Sequence, residues 1–200
     1  MIELTRQILQ LQKRAANNPI AYFRPTPPQA AFLRDPSPIK LLLGGNQVGK
    51  TRAAVMALLY RALDCHPHLK TDPAPNESWL ITHSHDQSRS IQAKLYEMIP
   101  PGALHEDCVF IVGKGFRGQV PIVRFKNGSV IRIKTAAQGL GLASASIGFV
   151  AIDEPIPEAV WGELAARGLR GGSGGKTGTI AITMTPIGVD VQYLRKMVED

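Results

Sequence analysis

Acid, cysteine and aromatic residues are all scarce in this chain of 200 residues. Its 16 aspartates and glutamates face 23 lysines and arginines, for a formal charge of +7. That balance excludes an acidic solvating chain and fits a soluble protein that meets a polyanion, or one that simply carries a basic surface. Two cysteines, Cys65 and Cys108, are too few for a disulfide framework and fit a reducing compartment. With His66, His68 and His105 they also lack the tight paired spacing of zinc ligands, so they read as ordinary loop residues. No apolar run approaches the ~20 residues of a membrane span. The opening MIELTRQILQLQKR has the apolar spacing of an amphipathic helix instead of the charged-then-apolar order of an export leader.

What is present is an alternation of short apolar runs and helical patterns. A helix is expected to about residue 16, then the proline-rich NNPIAYFRPTPPQAAFLRDPSP, an extended arm holding a short helix over 29–34. Largely apolar strands of the kind buried on both faces of a parallel sheet are expected at 39–43, 147–152 and 179–184, with a further strand at 79–83. Helices are expected at 51–63 and from Ser84, a cap with Gln87 as capping-box partner, to the stop at Pro100-Pro101. A further helix is expected from Pro157 to about 167, and a closing one over 193–198. VPIVRFKNGSVIRIK reads as a hairpin turning at Asn127-Gly128. GLRGGSGGKTG reads as a glycine-rich, basic loop. The fold class is therefore α/β, a mostly parallel central sheet flanked by helices, with an antiparallel hairpin. Trp79 and Trp161 read as core residues. Lys114, Arg117, Arg124, Lys126, Arg132 and Lys134 make the hairpin region basic, and alternation along a strand must send some of them to opposite faces.

Between the strand at 39–43 and the following helix lies GGNQVGKT, which fits G-x-x-x-x-G-K-S/T. Such a loop turns backbone N–H groups inward around phosphate oxygens, and the helix behind it points its positive end at them. The candidate phosphate-binding residues are Gly44, Gly45, Asn46, Gln47, Val48, Gly49, Lys50, Thr51 and Arg52. Lys50 would reach the β- and γ-phosphates of ATP, and Thr51 would hold Mg2+ through its hydroxyl.

About a hundred residues later IGFVAIDEP ends a buried strand in acid. Asp153 is the candidate second Mg2+ ligand and Glu154 the candidate general base for the attacking water. The adjacent acid favours an ATPase of the class with a catalytic glutamate and an additional strand. In that class the strand after the acidic one lies between it and the loop strand, which puts Thr183 and Thr185 of ITMTP near the γ-phosphate. They read either as coupling residues or as strand threonines with satisfied hydroxyls.

These residues together resemble the ATPase domain of the large terminase subunits of tailed bacteriophages. PTPPQAAFL resembles that family's adenine-side segment, GGNQVGKT its phosphate loop, FKNGSVIRIKTAAQG…GFVAIDEP its hairpin, spacer and acidic strand, and ITMTPIG its coupling motif. The resemblance implies Gln29 as adenine reader. It divides the chain into an N-terminal helix and adenine-side arm at 1–38, an ATPase core at 39–190, and the start of a linker to a missing nuclease domain at 191–200. It also implies double-stranded DNA held by its backbone, a homo-oligomeric ring, portal protein and small terminase subunit as partners, no membrane, and the host cytoplasm. The family's loop often carries arginine where this chain has Gln47. Arg167 and Arg170 are the candidates for a finger arginine, or else solvated helix-end residues. The rival expectations are a different nucleic-acid translocase or helicase-like ATPase, and an ATP-binding switch module that does not hydrolyse.

Overall fold

The computed structural model describes residues 2–136, 147–168, 178–186 and 194, without the side chains of 2–3 and 165–168. The expected closing helix, the glycine-rich loop and Arg170 lie outside the described residues apart from Gly168, Gly178 and Leu194, as does the side chain of Arg167. The elements run α1 (Ile2–Asn17), α2 (Pro27–Arg34), β1 (Ile39–Leu43), α3 (Lys50–Ala62), β2 (Glu77–Thr82), α4 (His85–Met98), β3 (Phe110–Ile111), β4 (Gly115–Phe116), β5 (Ile122–Arg124), β6 (Val130–Thr135), β7 (Phe149–Asp153), α5 (Glu158–Gly168) and β8 (Thr179–Met184). No described helix is long and apolar enough to cross a membrane.

Six strands form one sheet in the order β1-β8-β7-β2-β6-β5. All pairings are parallel except β5 with β6, which is the expected hairpin, with Gly128 supplying the positive φ its turn needs. β8 lies between β7 and the loop strand β1, so the additional-strand arrangement is present. A second two-stranded sheet, β3 with β4, went unforeseen, because pairs of two residues are too short for a periodicity.

The strands alternate their apolar side chains between two cores, which is why their sequences read as continuous apolar runs. Leu80, Phe149, Ala151 and Ala181 face the side of α2, α3 and α4. Trp79, Ile81, Val150, Ile152, Ile180 and Ile182 face the other side with Trp161 and Leu164 of α5. The small Ala151 and Ala181 let α3 approach the sheet with its own Ala53, Ala54 and Ala57, so that most of this helix is fully buried. A helix fixed this firmly fixes the loop in front of it. α1, by contrast, leaves Leu4, Ile8, Leu9 and Leu11 exposed.

Two details sharpen the sequence reading. β2 begins at Glu77 and ends at Thr82, earlier than expected. Ser84 does cap α4, its hydroxyl accepting the N–H of Gln87 at 3.4 Å.

Candidate nucleotide site

Everything expected at the site depends on what stands at the C-terminal ends of β1, β7 and β8. The chain leaves β1 through Gly44 and turns through two left-handed positions, Gln47 at φ 63° and Gly49 at φ 85°. Glycine adopts that conformation freely and glutamine does not, so Gln47 carries backbone strain where the loop curls. A Cβ on Gly49 would also collide with the Gln29 amide nitrogen. Lys50 and Thr51 then begin α3, whose unpaired N–H groups and positive end point into the loop.

Gln29 is buried, 6% exposed. Its Nε2 donates to the Gly49 carbonyl at 2.9 Å and its Oε1 accepts the Thr26 N–H at 2.9 Å. Both ends of the amide are thereby used to tie the start of α2 to the phosphate loop. Lys50 Nζ donates to the Gly45 carbonyl at 2.6 Å, inside the loop it closes. Arg52 turns from the loop toward α4 and the arm, with Nη2 3.6 Å from Met98 Sδ and its guanidinium 5.6 Å from the Phe23 ring centre. Val48 is exposed.

The acidic pair arrives from β7. The Thr51 hydroxyl donates to the Asp153 carboxylate, 3.2 and 3.1 Å from its two oxygens, and the Thr183 hydroxyl lies 2.7 Å from Oδ1. Burial pushes the Asp153 carboxyl above its ordinary range, opposed by the hydrogen bonds from Thr183 and Thr51. Glu154 takes a left-handed φ of 70°. Strain of this kind persists only where neighbours hold it. Here the Glu154 N–H donates to the Thr183 carbonyl at 2.8 Å, and the Thr185 N–H donates to Glu154 Oε2 at 3.0 Å. The Thr185 hydroxyl is 3.1 Å from Glu154 Oε1 and 3.3 Å from Asn46 Oδ1, so its one proton has an acceptor on either side.

The chain thus brings Asn46, Lys50, Thr51, Asp153, Glu154, Thr183 and Thr185 together from three strand ends. A cleft of about 490 Å³ opens beside them, large enough for a nucleotide. The oxygen donors of Thr51 and Asp153 are the hard ligands that Mg2+ takes, and among the described residues Lys50 is bonded to a loop carbonyl that an anion can replace. The residues fit a metal-bound triphosphate.

Sequence reading missed the far wall of this cleft: Lys94, Glu97 and Met98 of α4. They stand on one flank of that helix, and no motif marks them. Two of the basic hairpin residues are engaged within the fold: Arg132 pairs with Glu77 at 2.7 Å, and Lys134 Nζ lies 4.0 Å from the Trp79 ring centre. The free thiols of Cys65 and Cys108 are not among the residues that line the cleft.

No protein-family model matches the sequence, and no curated protein matches it. Solved structures do share its fold. The large terminase ATPase domain of Thermus phage P74-26 is similar at TM-score 0.58 and 22% identity, over 88% of this chain and 70% of that one. An alanine variant of the same domain gives TM-score 0.56 and 23% identity with the same coverage. The large terminase of bacteriophage HK97 is similar at TM-score 0.52 and 16% identity over 82% of this chain, which spans 33% of that protein. At these identities the comparison establishes a shared ATPase-domain fold.

Proposed function

We propose that this chain is the ATPase motor domain of a viral DNA-packaging terminase, hydrolysing ATP to drive double-stranded DNA into a procapsid. One observation carries the reading. In a fold shared with terminase ATPase domains, a phosphate loop, an acidic strand end and a threonine-bearing strand end converge on one cleft. In this reading Gly44–Thr51 cradle the phosphates and Lys50 exchanges the Gly45 carbonyl for a phosphate oxygen. Thr51 and Asp153 hold Mg2+, which supplies charge neutralisation when bound. Glu154 takes the proton of the attacking water, held in its strained backbone by Thr183 and Thr185. The Thr185 hydroxyl, shared between Glu154 and Asn46, links the base to the loop and so reports which nucleotide is bound. Gln29 ties the arm of residues 1–38 to the loop, and adenine recognition there would proceed by exchange of its amide partners. The DNA backbone, a ring of subunits, the portal protein and the small terminase subunit are the partners this function entails.

Phosphate release from ATP at rising protein concentration, with Glu154→Gln as control, tests the reading. Turnover that vanishes in the control supports the ATPase, and a rise per chain with concentration supports a ring completed by a neighbour's arginine. Tight ATP binding without turnover would replace it with a nucleotide-binding switch.

A further inference from the structure

The nucleotide cleft has a wall that none of the recognised motifs supplies. α4 faces the phosphate loop and places Lys94, Glu97 and Met98 along the cleft. Ile91, Leu95 and Met98 bury one stripe of this helix, and Lys94 stands beside that stripe, one turn before Met98. Buried neighbours thus fix the backbone from which the lysine reaches.

Three cations line the cleft among the described residues: Lys50, Arg52 and Lys94. Lys50 is bonded to the Gly45 carbonyl. Arg52 is drawn to Met98 and the Phe23 ring. Lys94 makes no hydrogen bond or ion pair among the described residues, although Glu97 is only three positions along the same helix. Against these cations the described lining carries two acids, Glu97 and Glu154, so the balance is positive toward a ligand that is itself an anion, and without Lys94 that excess would be gone.

Building on the proposed nucleotide site, we infer that Lys94 is a further triphosphate-binding residue, which adds a positive charge from α4 opposite the phosphate loop and biases the cleft toward nucleoside triphosphate over diphosphate. The extra phosphate is the only part of the ligand whose charge separates the two. A cation that sits across the cleft from the loop is placed to weigh that difference.

Binding of fluorescently labelled adenosine triphosphate and diphosphate, with Mg2+, to the full chain and to Lys94→Ala, Lys94→Arg and Lys50→Ala tests the inference without relying on turnover. Lys94→Ala is expected to weaken triphosphate binding about three- to tenfold and diphosphate binding much less, with Lys94→Arg restoring most of the loss and added salt shrinking it. Unchanged affinities in Lys94→Ala, or an equal loss for both nucleotides, would overturn it. If the unaltered chain and Lys50→Ala bound neither nucleotide, the nucleotide site itself would fall, and Lys94's role with it. Alanine at this exposed helical position keeps the helix, which a thermal melt checks.

Discussion

Two lysines, one within the loop strand and one just behind the loop, are almost equally buried and differ in what they are bonded to. Lys40, within β1, is 3% exposed, and Lys50, at the start of α3, is 7% exposed. Lys40 Nζ donates to the carbonyls of Phe32 at 2.9 Å and Asp35 at 3.0 Å, which close the C-terminal end of α2. Those acceptors have no helical partner and need a donor permanently. Lys50 donates to one carbonyl of a strained loop that opens onto a cleft. The first bond completes a structure, and in the proposed function the second is exchanged for a phosphate oxygen. A buried lysine is therefore informative through what it is bonded to, and burial alone does not separate the roles.

The sharpest way to break this contrast is to remove each lysine. Lys50→Ala is expected to reduce ATP turnover by about 10²–10³-fold, because a preorganised cation at developing charge is lost. It should change stability by no more than about 1 kcal/mol, the worth of one hydrogen bond. Phosphate release and a denaturant melt on the same preparation separate the two. A large loss of stability would make Lys50 a structural lysine like its neighbour and end the comparison.

Lys40 shows itself through pH. Burial pushes its pKa down to about 8, with Arg61 adding to the shift and Asp35 opposing it. The folded chain then binds fewer protons than the unfolded one between about 8 and the ordinary 10.5, so stability rises with pH across that window. The gain is at most about 3 kcal/mol. Tyr60, Cys65 and Cys108 have raised values, and as acids they act with the opposite sign. They are common to the unaltered chain and to Lys40→Met, so the difference between the two melts isolates Lys40. That difference should shift in favour of the unaltered chain as pH rises from 8 to 10.5. A constant difference would show that Lys40 carries no buried charge.

How much of this was legible beforehand follows the same division. β1 and β8 were read to the residue because buried parallel strands are written as unbroken apolar runs. Lys50, Thr51, Asp153 and Glu154 were picked out by motif spacing, and the fold brings them together at adjoining strand ends. Thr183 and Thr185 were read as either coupling or plain strand residues, and their hydroxyls meet Asp153 and Glu154. The left-handed φ at Gln47 and Glu154 was not legible, since neither residue type announces it. Nor was the grip of Gln29 on Gly49, or the wall made by Lys94: both join elements distant in sequence by contacts that no periodicity encodes. Lys40 stood in a strand that read as apolar, and nothing in sequence told which helix end it would close.

The grip of Gln29 on the loop gives the next test, a comparison of two glycines within it. Gly49→Ala places a Cβ where φ is 85° and where the Gln29 amide nitrogen stands. It should cost about 2 kcal/mol and loosen the loop. At Gly45 a Cβ meets nothing within 4 Å, so Gly45→Ala should be nearly silent in a melt. Equal costs at the two positions would show that neither the left-handed φ nor the Gln29 contact of Gly49 sets the sensitivity.

The smallest expected effect runs the other way and raises stability. Burial pushes the Asp153 carboxyl above the ordinary 3.8, opposed by the hydrogen bonds from Thr183 and Thr51. A raised acid binds extra protons in the folded state. Stability therefore falls as pH climbs from 3.8 through the folded value, and the penalty is fully present above that value. Asp153→Asn keeps an oxygen to accept from Thr51 and Thr183 and removes the charge. The nucleotide-free variant should be more stable than the unaltered chain at pH 7 by up to about 1 kcal/mol, with the gap closing as pH falls toward 4. The same variant should lose Mg2+-dependent nucleotide binding. A gain confined to neutral pH together with that loss would place Asp153 with Lys50, among charges kept for a ligand, while Lys40 belongs to the fold. A variant less stable at every pH would mean that the carboxylate's own hydrogen bonds outweigh its burial, and Asp153 would join Lys40 on the structural side.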